Sequence, residues 1–478
     1  MEDSTPASQL KRRRILRPAL RRFVLKCFTY VPVWLRDYLR HSRLAQQALS
    51  WLTSGAVSSG WQVPAPLCVL PWIHAFVGTT GDVHLCCNAL GQGTSLGNVH
   101  GKSLFQIFAS EPFAEVRHQM LQGKWPQQCQ GCKDRENLGL SSYRNFSNGR
   151  YPSYSLLLTS NPSALSPAIR SLDLRPNNIC NFKCRSCFVG ASNRWVSDHN
   201  LLHPEAKVSQ SYRGFDKDPA FWKEFDQNIL PGIEAIDLAG GEPLLSQSHY
   251  LLLEKLLTHR KQDIKLRVTT NLSQLRFMHW DAVELWKYFP QLDLTLSLDG
   301  VGAQGEYVRS GMDYSKWIEN ARRLKRELPN VKLGLNFVVS IFNVMYLREH
   351  YEAITREKFA DPNFINFTFL TTPEYLSVQV LTPELKSAVE REISKWLSQA
   401  RQMSTGMRDQ LRALVEFMNK TDGFALYGRE FAFKTGLLDQ ARGEDALALF
   451  PKLEPMLVLT KFQTPQPSIC CGDSTAPA

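Results

Sequence analysis

Nowhere in this 478-residue chain does an apolar run approach the roughly 18 to 20 residues that a membrane-spanning helix needs. The amino-terminal segment also lacks the uninterrupted apolar stretch of a signal peptide, because Arg17, Arg21, Arg22 and Lys26 break it up. These absences predict a soluble, cytoplasmic protein. Nucleotide-binding motifs are missing too. Gly97-Asn-Val-His-Gly101-Lys102-Ser103 ends like a phosphate-binding loop but has three residues between its glycines where four are required, and Gly91-Gln-Gly93-Thr-Ser-Leu-Gly97 misses the dinucleotide fingerprint by one residue. Nucleotide hydrolysis therefore has no support. There is no internal repeat and no low-complexity tract, so a solenoid is not expected.

What is present is ordinary in bulk and uneven in detail. Apolar residues at 43% and charged residues at 21% suit a globular protein with a sizeable core, and the length suggests two or three domains. The net charge of +11 is concentrated at one end, where residues 1–50 hold eleven Lys or Arg against Glu2, Asp3 and Asp37. Phe23, Leu25, Phe28, Tyr30, Val33, Trp34 and Leu35 are interleaved with those charges. Such a segment could lie on an anionic membrane surface, grip nucleic acid, or pack one apolar face on its own protein while its basic side chains stay in water. The extension packed on its own protein is the expectation, with peripheral membrane contact through residues 1–50 as the alternative and no specific nucleic acid.

Eleven cysteines in a chain without an export signal argue for metal or redox chemistry over structural disulfides. Three of them form Cys180-Asn-Phe-Lys-Cys184-Arg-Ser-Cys187, directly after the apolar strand Ser171 to Arg175. Thiolates spaced x3 then x2 can fold around one face of a cubane and ligate three irons of a [4Fe-4S] cluster, leaving the fourth open to bind and reduce a small molecule. A zinc knuckle or three buried thiols are the alternatives. Four more cysteines, Cys68, Cys86, Cys129 and Cys132, are spaced like a second metal site, with Cys87 able to replace Cys86. Spacing alone does not separate an iron-sulfur cluster from structural zinc there. His74 and His84 are expected to be hairpin residues rather than ligands.

Residues 1–60 read as a basic extension and linker. Two short apolar runs around Thr80-Gly81-Asp82 predict a β-hairpin whose open end would bring Cys68 and Cys86 together. Ser103 to Met120 has helical periodicity. From about residue 165 strand-like and helix-like stretches alternate, with strands expected at 171–175, 233–239, 264–270, 292–298, 331–340 and 364–370. The intervening helices are expected at 219–229, 250–259, 278–289, 314–328 and 344–358. Six such units imply an α/β fold with a parallel sheet, either an open barrel or a doubly wound sheet, with polar motifs at the carboxyl ends of the strands. Residues 376–478 read as helical, at 383–399, 408–420 and 429–449, before a loose tail.

The cysteine triplet resembles the signature of radical S-adenosylmethionine (radical SAM) enzymes, and other marks of that family follow in order. The block 61–150 resembles the twitch domain, a shortened SPASM domain that carries an auxiliary cluster. That likeness rests on Cys68, x12, Gly81, x4, Cys86, then Gly97-Asn98, then Cys129 and Cys132. Here the block precedes the catalytic signature, where the familiar order places it after. The resemblance selects the partial (β/α)6 barrel over 165–375, with Cys180, Cys184 and Cys187 as catalytic cluster ligands and S-adenosylmethionine as cofactor. It further implies that Gly240-Gly241-Glu242-Pro243 receives the amino group of the methionyl part. Thr270, Asn271, Ser297, Asp299 and Arg309 are implied for the ribose and carboxylate. Asn336 and Ser340 could face cofactor or substrate, or bond within the sheet. The family's usual aromatic before the third cysteine is Ser186 here, so Phe182 or Phe188 would have to stack on the adenine.

The resemblance implies reductive cleavage of S-adenosylmethionine to methionine and a 5'-deoxyadenosyl radical. That radical removes hydrogen from a peptide, a protein side chain or a small molecule, with a flavodoxin or ferredoxin as reducing partner. The competing reading is a non-catalytic iron-sulfur or zinc protein that binds a membrane or nucleic acid through residues 1–50.

Overall fold

A computed structural model of the protein describes residues 63–90, 95–137, 139, 141–209, 212–400 and 403–459. The basic segment 1–50, Cys27 and the tail with Cys471 lie outside these residues. The described chain forms two compact units. The larger comprises 74–87, 95–110 and 169–459, and the smaller 63–73, 88–90 and 111–168. This division cuts across the segment 61–150, giving the hairpin to the larger unit.

The larger unit is built on strands β1 (His74–Val77), β2 (Asp82–His84), β3 (Gly97–Asn98), β4 (Ser171–Leu174), β5 (Lys183–Cys184), β6 (Ala235–Leu238), β7 (Lys265–Thr270), β8 (Arg276–Phe277), β9 (Trp280–Asp281), β10 (Leu292–Ser297), β11 (Arg309–Ser310), β12 (Lys332–Val339) and β13 (Ile365–Phe369). Nine of them make one sheet in the order β13-β12-β10-β7-β6-β4-β1-β2-β3. From β4 to β13 every neighbour is parallel and spatial order follows chain order. A doubly wound sheet reverses its order at a switch point and the six strands from β4 to β13 never do, so the partial (β/α)6 barrel is the observed class. The hairpin extends the sheet: β1 runs parallel to β4, β2 returns antiparallel, and Gly81 turns between them at φ +81°.

Parallel strands are usually apolar on both faces. Here β7, β10 and β12 alternate. Leu266, Val268, Leu292, Leu294, Leu296, Leu333, Leu335 and Phe337 are buried. The opposite face carries Arg267, Thr269, Thr295, Ser297 and Asn336, all half-buried. The sheet thus has one face in the core and one lined by hydrogen-bonding groups.

The six strands fall where periodicity places them, and helix Tyr314–Glu327 starts where Asp313 caps the Lys316 amide at 3.0 Å. Three helical stretches differ from expectation, the first being 103–120, which is broken into Leu104–Phe108 and Glu111–Leu121. Residues 276–281 form the β8-β9 ladder, so that helix is confined to Ala282–Trp286 behind its Asp281 cap. The expected 429–449 segment begins earlier, as Phe424–Arg442, and stops at Gly443, which takes the left-handed conformation of a helix end before Ala446–Leu449. No helix among the described residues is long and apolar enough to cross a membrane.

The smaller unit is helical, with Leu70–Ile73, Glu111–Leu121, Gln130–Asn137, Tyr143–Arg150 and Pro152–Ser160.

Candidate functional site

Cys180, Cys184 and Cys187 lie on the loop that leaves the carboxyl end of β4. The tip of that loop is fixed by a two-residue antiparallel ladder in which β5 sets Cys184 against Arg309 of β11. Asn193 Oδ1 accepts the Cys180 amide at 3.1 Å, and the Trp195 indole N–H donates to the Cys184 carbonyl at 2.8 Å. Sequence reasoning missed both residues. Their only signal was an amide and an indole shortly after the triplet.

The sulfurs are close enough to raise one another's pKa. Burial pushes the Cys180 thiol up to about 12 and raises Cys184 and Cys187 as well, so that metal uptake must displace protons. Cys180 Sγ is approached by the Phe182 amide at 3.5 Å and by Asn271 Nδ2 at 3.8 Å, and Cys184 Sγ by Arg309 Nη1 at 3.8 Å. Three soft donors with N–H groups and a guanidinium around them fit a cluster whose ligands are thiolates. Among the described residues no three Cys, His or acidic side chains converge as ligands of a single metal ion do.

Gly240 and Gly241 end β6 against this loop. A Cβ on Gly241 would stand 2.1 Å from the Ile179 carbonyl oxygen, so only glycine lets the two backbones meet. The Glu242 amide then donates to that same oxygen at 2.6 Å. The Glu242 side chain is 2% exposed and is engaged on both oxygens: Oε1 accepts the Leu244 amide at 3.0 Å and the Thr270 hydroxyl at 2.6 Å, and Oε2 the Asn271 amide at 2.6 Å. Burial nevertheless pushes its pKa up to about 7. Glu242 thus ties the end of β6 to the end of β7, and Pro243 opens the short turn that it caps.

Asp299 is equally buried. Its Oδ1 accepts the Val338 amide at 2.8 Å, and Oδ2 lies 2.9 Å from Arg309 Nε, although the N–H does not point along that line. Burial works against the Arg309 charge, and Asp299 with the Cys184 sulfur more than restores it. Asn271 Nδ2 donates to Asn181 Oδ1 at 3.0 Å. Ser297 is half-buried and in register with Asn336, whose Oδ1 accepts from Asn366 at 3.0 Å and Thr368 at 2.8 Å. Ser340 is buried, and its hydroxyl has no hydrogen-bond partner among the described residues. Of the two aromatics, Phe182 is buried and Phe188 is 63% exposed. Gly93-Thr-Ser95-Leu-Gly97 spells the letters of a serine nucleophile elbow, but exposed Ser95 leads into β3 instead of standing between a strand and a helix.

The second cysteine group divides. Cys68, Cys129 and Cys132 belong to the smaller unit, Cys86 and Cys87 to the larger. Burial pushes Cys68 up to about 12 and raises Cys129, with Cys132 adding to both. Arg144 holds these segments together. It meets Glu136, one turn beyond Cys132, bidentately at 2.8 and 2.7 Å, and donates to the Leu67 carbonyl beside Cys68 at 2.7 Å. Asn148 adds bonds to the Val69 amide at 2.9 Å and the Leu67 carbonyl at 3.0 Å. His74 and His84 are strand residues, His74 Nδ1 lying 2.8 Å from Ser171 Oγ.

Residues 174–354 match the model of the radical SAM superfamily, and residues 68–133 match that of SPASM, an iron-sulfur cluster-binding domain. These matches imply a [4Fe-4S] cluster with S-adenosylmethionine, and an auxiliary iron-sulfur cluster. No curated protein matches. Among solved structures, anSMEcpe with bound AdoMet is 20% identical over 48% of this chain and 61% of its own, with a TM-score of 0.35. Streptococcus suis SuiB bound to S-adenosylmethionine is 15% identical over 60% of this chain and 58% of its own, with a TM-score of 0.32. Streptococcus suis SuiB bound to precursor peptide SuiA is 15% identical over 60% of each chain, with a TM-score of 0.33. This chain therefore spans about three fifths of the solved chains it matches.

Proposed function

We propose that this protein is a radical SAM enzyme whose Cys180–Cys184–Cys187 loop carries the cluster at which S-adenosylmethionine is cleaved. The observation that carries the reading is convergence. One loop bearing three buried thiols is braced by the ends of β6 and β7, neighbouring strands of the parallel sheet, and by Arg309 of the β5-β11 ladder. When bound, the cluster and its cofactor supply a one-electron cleavage of a carbon-sulfur bond, giving methionine and a 5'-deoxyadenosyl radical that takes hydrogen from a substrate carbon.

The chain's own residues have definable parts in this. Cys180, Cys184 and Cys187 release their protons as they ligate. Asn271 and the Phe182 amide aim N–H groups at Cys180 sulfur, and Arg309 sets a positive charge beside Cys184, which favours electron-rich sulfur. Glu242 and Thr270 act from behind: their polar atoms are engaged by the protein, so they shape the site through the backbone of Gly240, Gly241, Pro243 and Asn271, while Asp299 sets its charge beside Arg309. Ser297 is left to meet a ribose. Cys68, Cys129 and Cys132 supply thiols to the auxiliary cluster. The polar face formed by Thr269, Thr295, Asn336, Asn366 and Thr368 favours a substrate rich in hydrogen-bonding groups, as a peptide segment is.

The test is product formation. Anaerobically reconstituted protein reduced with dithionite should convert S-adenosylmethionine to 5'-deoxyadenosine. Protein replete in iron that binds the cofactor and never cleaves it would end this reading.

A further inference from the structure

Between Cys184 and Cys187 the chain places a full positive charge where almost no water reaches it, because Arg185 is 2% exposed. A buried guanidinium is costly unless opposite charge and hydrogen bonds meet it. Here both come from 254 positions away. Asp439, in the last turn of helix Phe424–Arg442, accepts from Arg185 Nη2, and so does Glu444 just past the helix, at 2.5 Å. The ring of Tyr307 lies under the guanidinium, with its centroid 3.7 Å away, and its hydroxyl donates to the same Asp439 oxygen at 2.8 Å. The other Asp439 oxygen accepts the Ala446 amide at 2.8 Å. That carboxylate is fixed on every side.

A second strut runs beside the first. Arg442, the last residue of the same helix, meets Asp198 at 2.7 and 3.2 Å, and Asp198 also pairs with Lys183 at 3.2 Å. Arg442 lies over Trp195, the residue that holds the Cys184 carbonyl. Lys183 and Arg185, the two neighbours of Cys184, are thus both tied to one helix end. The cations Lys183, Arg185 and Arg442 are balanced by Asp198, Asp439 and Glu444, and the negative end of the helix dipole favours the arginines further. Apolar packing alone would bring the helix to the barrel without any of these charges.

We propose that the last turn of helix Phe424–Arg442 is a positioning element for the cysteine loop, holding Cys184 in place and setting the electrostatic field at the cluster through Arg185 and Arg442. This rests on the reading that the loop carries a cluster. Reduction adds an electron, so neutralising a carboxylate of the network should favour the reduced form and neutralising Arg185 should disfavour it. A scaffold that only braced the loop would not give shifts of opposite sign.

The experiment is a redox titration, followed by electron paramagnetic resonance, of reconstituted full-length protein, reading the signal that changes on adding S-adenosylmethionine. Asp439→Asn should move its midpoint to more positive potential, Arg185→Gln to more negative, and the double variant should return toward wild type. Glu444→Gln, outside the helix, should shift as Asp439→Asn does but less, and it decides the sign should Asp439→Asn fail to fold. Arg442→Met should release iron to a chelator severalfold faster, with Arg442→Lys restoring retention. Single variants that shift the same way, or not at all, overturn the tuning, and unchanged release in Arg442→Met overturns the positioning. A wild-type protein with no signal responsive to S-adenosylmethionine defeats the functional reading instead.

Discussion

The two cysteine groups are assembled in opposite ways. The triplet is local, with three thiols within eight residues on one loop, and the fold's task is to brace a loop that already has its ligands together. Cys68 and Cys129 are brought together across 61 positions by helices of a small unit, and a single buried guanidinium, Arg144, bonds both to the chain beside Cys68 and to the helix that bears Cys132. The comparison predicts that a local site should survive loosening of its surroundings in part, whereas a dispersed site should fail with its clamp.

The sharpest way to break the comparison is to remove one ligand from the local group. Cys184→Ala should abolish 5'-deoxyadenosine formation while the smaller unit keeps its iron, so iron and sulfide analysis should fall by one cluster rather than to zero. Next in size is the clamp. Arg144→Met strands the Glu136 carboxylate and the Leu67 carbonyl, and the loss of one partner of a buried pair should cost about 3–5 kcal/mol in a urea melt. Iron of the auxiliary site should go with it, and the signal responsive to S-adenosylmethionine should remain.

Gly241→Ala presses on the brace of the triplet. Its new methyl would meet the Ile179 carbonyl, and we expect a loss of about 1–3 kcal/mol with reduced cluster loading at the triplet alone, read by calorimetry and by the same spectrum. The effect that reaches neither cysteine group is acid sensitivity. His249 is buried with neither ring nitrogen hydrogen-bonded among the described residues, and burial lowers its pKa to about 3. A lowered folded pKa means no contribution above the unfolded value near 6.5. Below it the unfolded chain takes the proton first, so stability falls by up to about 1.4 kcal/mol per pH unit until about pH 3. His350, lowered to about 4, belongs to the same unit. Urea melts between pH 7 and 4 should show the slope in wild type and a shallower one in His249→Phe.

Much of this was legible in the residues. Six strands could be placed because each is a short apolar run between turn residues, and the triplet because its chemistry is written at short range. The hairpin was legible from Thr-Gly-Asp. Other features were not. That Glu242 would bond the Leu244 and Asn271 amides, and Asp299 the Val338 amide, depends on packing between distant strands. Phe182 and Phe188 are equivalent as letters, yet one is buried and the other exposed. Asp281 stops the helix expected from 278 because a capping carboxylate outcompetes apolar periodicity at that point.

The order of residues by itself determined a thiol loop after a strand, a glycine pair one unit later, and an alternation that could only make a parallel sheet. Each of these depends on neighbours a few bonds apart. Only the tertiary structure decided that the strands from β4 to β13 wind one way without reversing, that Gly241 serves the cysteine loop, and that Arg185 finds its countercharges at the far end of the chain. Those outcomes depend on burial, which turns a distant charge into an obligatory partner, and burial is a property of the folded whole.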